Sequence, residues 1–205
     1  MRSDITGVIL AGGKSQRFGS DKALAPVGEN IVMIQKIVQV MKDVFEETLI
    51  LAKDKNKFSF LEAPWAQVLN DLSPEVHPLH GLTSALAYAR TDKIFISACD
   101  MPFLHADLIQ RICDKSFETE ATVMMWQGRL QPFLGVYSKA CLPHIEHCLK
   151  DSQQGIQSLL SKVRTRILQE NEFLGNRNEV PFFDVDTPEE YEQALKILKG
   201  PAYAG

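Results

Sequence analysis

The sequence contains no block of Lys or Arg, and its formal net charge is −4. A general nucleic-acid binder carries a basic face or stripe, so that class is set aside; a phosphate ligand held by a few local donors is not. The four cysteines, Cys99, Cys113, Cys141 and Cys148, form no C-x-x-C pair, which argues against a zinc ribbon or a redox motif. Free thiols in a chain of 205 residues suit a reducing compartment, so the cytoplasm is expected. Long apolar runs are also missing. The first short one is broken at Gly12-Gly13, too early for a signal peptide or a membrane span. There is no internal repeat, low-complexity segment or long linker. We therefore expect one domain over residues 1–205, with 200–205 as a tail, large enough to bury a full core unaided.

Short apolar runs alternate with longer amphipathic stretches. Strands are expected at Ile5 to Leu10, Thr48 to Ala52, around Val68-Leu69, Lys93 to Ala98 and Thr165 to Leu168. Ile31, Ile34, Val38 and Met41 recur at helical spacing; helices are also expected over 82–89, 105–115 and most of 140–163. Ala121 to Trp126 turns at Gln127-Gly128-Arg129 toward a partner near Phe133 to Tyr137, an antiparallel pair. Thr187-Pro188-Glu189-Glu190 joins an N-cap, a proline at the first helical position and a capping-box Glu. Such alternation predicts an α/β fold: three layers, Rossmann-like, with a mostly parallel sheet. Ligands bind such sheets beyond the carboxyl ends of the strands. That selects two loops, 11–22 and 99–103.

The first loop reads Ala11-Gly12-Gly13-Lys14-Ser15-Gln16-Arg17-Phe18-Gly19-Ser20-Asp21-Lys22. Its glycines permit close backbone approach, its amides can wrap an anion, and Arg17 and Lys22 add positive charge. It is not a P-loop, because the first glycine of that pattern falls on Val8, and adjacent Gly12 and Gly13 break the G-x-G-x-x-G fingerprint. In the second loop Asp100 stands where an α/β enzyme places a metal ligand, and one carboxylate plus substrate phosphates can hold Mg²⁺. The same Asp could instead cap a following helix. Asp71, after a short strand, reads equally as a turn residue or a ligand contact. His144, His147 and Cys148 share a helical face, but no further ligands support a metal site there. His77 and His80 read as loop residues, Met124-Met125-Trp126 as buried strand, and Lys53, Asp54, Lys55 and Lys57 as solvated surface.

From Leu10 to Leu24 the chain closely resembles the opening motif of the molybdenum cofactor guanylyltransferases, members of the nucleotide-diphospho-sugar transferase-like superfamily. Pro78-Leu79-x-Gly81, Cys99 to Leu104, Gln131-Pro132-Phe133-x-Gly135-x-Tyr137 and Asp184 to Glu190 resemble later motifs, in family order. The resemblance implies GMP transfer from GTP to the terminal phosphate of molybdopterin, with release of pyrophosphate. It implies catalytic roles for Lys22, Asp100 and Arg17, and Mg²⁺ on Asp100. Leu10, Ala11, Gly12, Gly13, Lys22, Asp71 and Asp100 would bind the nucleotide. Gln131, Asp184 and Asp186 would face the pterin, giving a nucleotide-binding N-terminal half and a pterin-binding C-terminal half. Proteins that deliver or collect the pterin are expected, and neither nucleic acid nor membrane; the default is a monomer.

The chain departs from the family at three places. The Asn frequent after the second strand is missing, with Lys53 near its place; His77 replaces the Gly before Pro-Leu; Asp184 and Asp186 stand where some members have Asn. Competing expectations are a CTP-dependent relative acting on the same pterin, a sugar-phosphate nucleotidyltransferase, and a GTP-binding regulator without turnover. Leu10-Ala11-Gly12-Gly13, where the CTP enzymes read Leu-Ala-Ala-Gly, favours GTP by resemblance.

Overall fold

The computed structural model describes residues 1–13, 18, 21–151, 155–172 and 183–200. A seven-stranded sheet organises the chain: β1 (Ile5–Leu10), β4 (Thr48–Ala52), β5 (Ala66–Asn70), β6 (Lys93–Ala98), β7 (Ala121–Trp126), β8 (Arg129–Ser138) and β9 (Thr165–Leu168). The spatial order is β5-β4-β1-β6-β8-β7-β9. β1, β4, β5 and β6 pair in parallel, as do β7 and β9, while β8 runs antiparallel to both its neighbours. The expected three-layer, mostly parallel α/β fold is present, with β8 as its reversed strand.

Both faces of the sheet are covered, as the continuous apolar strands require. α1 (Met33–Val44) and α3 (Ala106–Asp114) pack on one face with Ile5, Ile9, Ile50 and Phe95. α2 (Pro78–Tyr88), α4 (Leu142–Lys150) and α5 (Ile156–Lys162) cover the other with Val8, Leu49, Leu51 and Ile96. Alternate residues of β1 thus serve opposite faces, the period-two pattern of a strand. Gly7 is obligatory: a Cβ there would stand 2.6 Å from the Phe45 ring, which stacks on Phe95 with centroids 5.7 Å apart.

A third apolar cluster joins α6 (Pro188–Leu198) to a small hairpin, β2 (Pro26–Gly28) and β3 (Ile31–Val32), through Val27, Met33, Phe103, Val185 and Ala194. The capping box holds as expected: Glu190 N donates to Thr187 Oγ1 at 3.2 Å, and Thr187 N donates to Glu190 at 2.9 Å. Val185 N donates to the carbonyl of Asp100 at 3.0 Å, so the C-terminal segment lies against the loop that follows β6.

Several expectations change. α2 begins at Pro78, with His77 as its N-cap accepting from Leu79 N at 3.2 Å, so His77 and His80 are helix-start residues rather than loop. The hairpin β2–β3 and the 3-10 segment Lys55–Leu61 had no clear apolar period. Met124 is fully buried, but Trp126 only partly so. Residues 201–205 of the expected tail lie outside the described residues. All four cysteines are free and buried. No helix among the described residues is long and apolar enough to cross a membrane.

Candidate active site

The parallel half of the sheet ends in a cavity of about 240 Å³. Of the residues singled out for a nucleotide, Leu10, Gly12, Gly13, Lys22, Asp71 and Asp100 all line it. Ala11 lies beneath, 8% exposed, its amide tied to the Leu51 carbonyl at 2.8 Å. Parallel registry explains the convergence: Leu10 stands beside Leu51 on one side and Ala98 on the other, so the loops after β1, β4 and β6 leave the sheet at one level. Arg17 lies outside the described residues.

Lys22 sits at the start of a short 3-10 turn, Lys22–Leu24, with its side chain 13% exposed. Its Nζ donates to Asp100 Oδ2 and, at 2.7 Å, to Asp186 Oδ1. Burial alone would lower the ammonium's pKa; the charge of Asp100 and the hydrogen bonds to both carboxylates outweigh it and hold it above the ordinary lysine value. Asp184 belongs to the same cluster. Burial, then the charges of Asp100 and Asp186, push its carboxyl up to about 7. Among the described residues, a ligand in this cluster therefore meets the Lys22 ammonium, the Asp100 and Asp186 carboxylates paired with it, and the Asp184 carboxyl, pushed up to about 7.

Asp100 lies two residues past the end of β6, and the helix cap it was weighed against belongs instead to His105, which accepts from Leu108 N. Asp100 Oδ1 is buried with no hydrogen-bond partner. A buried carboxylate oxygen without a donor calls for a cation or a ligand proton. Among the described residues no group of three or more His, Cys, Asp or Glu side chains converges as a metal cage. A cation at Asp100 would take most of its shell from phosphate and water, as Mg²⁺ does. The donor set thus fits a hard divalent ion carried by a nucleotide. Cys99 is on the cavity wall, where burial raises its thiol above the ordinary value and disfavours the reactive thiolate.

Asp71 accepts from Ser84 Oγ at 2.6 Å and from Lys53 Nζ at 2.8 Å. Burial opposes its ionisation, but these donors prevail and hold its pKa below the usual carboxylate value. Lys53, expected to be solvated surface, is exposed but also lines the cavity and is bonded to Asp71. Gln131 is half-buried on β8, opposite Met124. The β7–β8 ladder shifts register between Val123 and Met124, which pair with Gly135 and Gln131, leaving Pro132 to Leu134 as a bulge. Tyr137 Oη donates to the Pro132 carbonyl at 2.7 Å, and the bulge carries Phe133 to the cavity. Val76, His77 and Phe133 were not singled out as lining residues; Lys53 was signalled by its strand-end position and by standing near the place of the family's missing Asn.

Comparison with known proteins agrees with this fold. Residues 7–167 match the MobA-like NTP transferase domain. A probable molybdenum cofactor guanylyltransferase of Carboxydothermus hydrogenoformans is 32% identical over 95% of this chain and 97% of its own. The molybdopterin-guanine dinucleotide biosynthesis protein A of Archaeoglobus fulgidus superposes with a TM-score of 0.80 at 18% identity, covering 94% of this chain and 98% of that one. A Mycobacterium tuberculosis protein solved in complex with manganese superposes with a TM-score of 0.67 at 20% identity, covering 96% and 100%. The chain belongs to the MobA-like NTP transferase family, that of the molybdenum cofactor guanylyltransferases.

Proposed function

We propose that the chain transfers GMP from GTP to the terminal phosphate of molybdopterin, giving molybdopterin guanine dinucleotide and pyrophosphate. The observation that carries the reading is Lys22 at the cavity edge, bonded to Asp100 on the nucleotide side and to Asp186 on the C-terminal segment. One cation joins the two halves of the site. The proposal assigns nucleotide binding to the N-terminal half and pterin binding to the C-terminal half, through Gln131, Asp184 and Asp186.

An oxygen of the pterin phosphate forms a bond to the α-phosphorus of GTP as the bond to the bridging α–β oxygen breaks. Both partners are anionic, so alignment and charge neutralisation are the main requirements, and no protein nucleophile is needed. Backbone groups from Leu10 to Gly13 hold the base and the start of the triphosphate, and Asp71 holds the nucleotide end of the cavity. Lys22, kept charged by its carboxylates, offsets the charge that develops on the phosphates. Asp100, whose buried Oδ1 has no hydrogen-bond partner, would hold Mg²⁺, and the ion would supply charge neutralisation to the phosphates. The manganese-bound Mycobacterium protein supports a divalent ion at this fold. Arg17 is a second phosphate contact. The unpaired cysteines agree with a cytoplasmic reaction.

Incubation with GTP labelled at the α-phosphate, molybdopterin and Mg²⁺ tests the reading. Label in a pterin dinucleotide and unlabelled pyrophosphate are expected. Label moving to a hexose phosphate instead would make the chain a sugar-phosphate nucleotidyltransferase. Tight GTP binding with no product from either acceptor would make it a regulator.

A further inference from the structure

Lys53 follows β4 at the carboxyl edge of the sheet. Its Nζ donates to three oxygens, Asp71 Oδ2 at 2.8 Å and the carbonyls of Ser73 and Glu75 at 2.7 Å each. An ammonium has three N–H groups, so these bonds use them all. The stem passes Gly12: a Cβ built there would lie 3.6 Å from Lys53 Cγ and 3.9 Å from Cε. The side chain thus crosses from the first loop to the loop 71–77.

The start of that loop is tied to the fold, Asp71 N donating to the Ala52 carbonyl at 2.8 Å and Leu72 N to Ser84 Oγ at 3.0 Å. Past Leu72, Ser73 N donates to Asp71 Oδ1 at 3.1 Å and Glu75 N to Ser73 Oγ at 3.2 Å, both local bonds. Leu72 and Val76 are 58% and 52% exposed, so burial anchors the loop weakly. Glu75 meets His80 at 3.1 Å, but its side chain is 77% exposed. Immediately after the Glu75 carbonyl, Val76, His77 and Pro78 form a wall of the cavity. Lys53 is 29% exposed and Asp71 9%, so their ion pair is shielded far better than a surface pair.

We propose that Lys53 is a positioning residue for the nucleotide: it clamps the 71–77 loop as the wall of the cavity and does not itself read the base. The proposal rests on the guanylyltransferase reading only for the identity of the nucleotide. A lysine that read the base would donate to an oxygen that guanine and hypoxanthine carry and adenine lacks. A lysine that sets the wall serves every nucleoside triphosphate alike.

The test compares the full chain with Lys53→Met, which keeps the stem, and Lys53→Arg, which keeps the charge. Hydrogen exchange is followed in the ligand-free proteins. Dissociation constants are measured for the Mg²⁺ complexes of GTP, ITP and ATP, with kcat and KM for GTP. In Lys53→Met we expect amides of residues 72–77 to exchange roughly tenfold faster, with β1 and β4 unchanged. Binding of all three nucleotides weakens by a common factor of about ten, KM rises with it and kcat stays within about threefold. Lys53→Arg recovers part of both effects. Unchanged exchange at 72–77 overturns the clamp, and a loss confined to GTP and ITP overturns positioning in favour of base reading. Wild-type protein that binds none of the nucleotides refutes the guanylyl reading instead, and the exchange comparison then decides the clamp alone.

Discussion

Replacing Lys22 with Met keeps the aliphatic stem and removes a cation that bridges Asp100 and Asp186. The Asp100 and Asp186 side chains are 11% and 36% exposed, so water replaces the lost partner poorly at Asp100 and readily at Asp186. Asp100 already has one buried oxygen without a donor; losing Lys22 strips the other. Leaving such a group unsatisfied costs about 1–3 kcal/mol of stability. In a domain of this size that lowers Tm by roughly 2–12 °C. Turnover should fall further, because a preorganised donor aimed at developing charge is worth about 10²–10³ in kcat. The assay is single-turnover pyrophosphate release at saturating GTP, Mg²⁺ and molybdopterin, well below both melting temperatures. A Lys22→Met enzyme within threefold of wild type would falsify the assignment of Lys22 to the chemistry.

Asp100→Asn should weaken the apparent Mg²⁺ affinity at least about tenfold, read by titrating Mg²⁺ at fixed GTP, since a neutral amide is a poorer ligand for a hard cation; an unchanged titration would move the metal elsewhere. Asp184, at about 7 against an ordinary 3.8, keeps its proton in the folded chain where the unfolded chain has lost it. Its stabilising contribution is therefore complete below about pH 4 and lost as the pH rises through about 7. Asp184→Asn should then raise Tm at pH 8 in EDTA and leave it nearly unchanged at pH 4. The ceiling is ~4 kcal/mol, and ~1–2 kcal/mol is expected for a group that water still reaches; equal effects at both pH values would remove the charged cluster as the cause. Gly135→Ala places a Cβ 2.3 Å from the Thr122 carbonyl oxygen, so the β7–β8 bulge must shift. A loss of about 1–3 kcal/mol by urea denaturation is expected, and a neutral substitution would show that the strands part more easily than their packing implies.

What the sequence disclosed was local. The cap of α6 needs only Thr187, Pro188 and Glu190, within one turn, and each occupies its expected place. Gln127 and Gly128, both with positive φ, make the two-residue turn between β7 and β8 legible in the same way. The site loops followed from strand ends, because a parallel sheet delivers its ligands there. Long-range pairings left no such mark. Asp186 finds Lys22 across 164 positions, and nothing near either residue signals the other. Lys53 looked solvated because its neighbours are charged; its partners, at Asp71, Ser73 and Glu75, come from the next strand's loop. His77 and His80 resembled loop residues because a helix start and a turn use the same chemistry.

The central claim is GTP-dependent guanylyl transfer to molybdopterin, and single-turnover pyrophosphate release tests it most directly. The protein is mixed with molybdopterin and Mg²⁺, in parallel with GTP, CTP, ATP and UTP. The account predicts release with GTP alone, abolished by omitting the pterin. Release with CTP alone, or with none of the four, would contradict it.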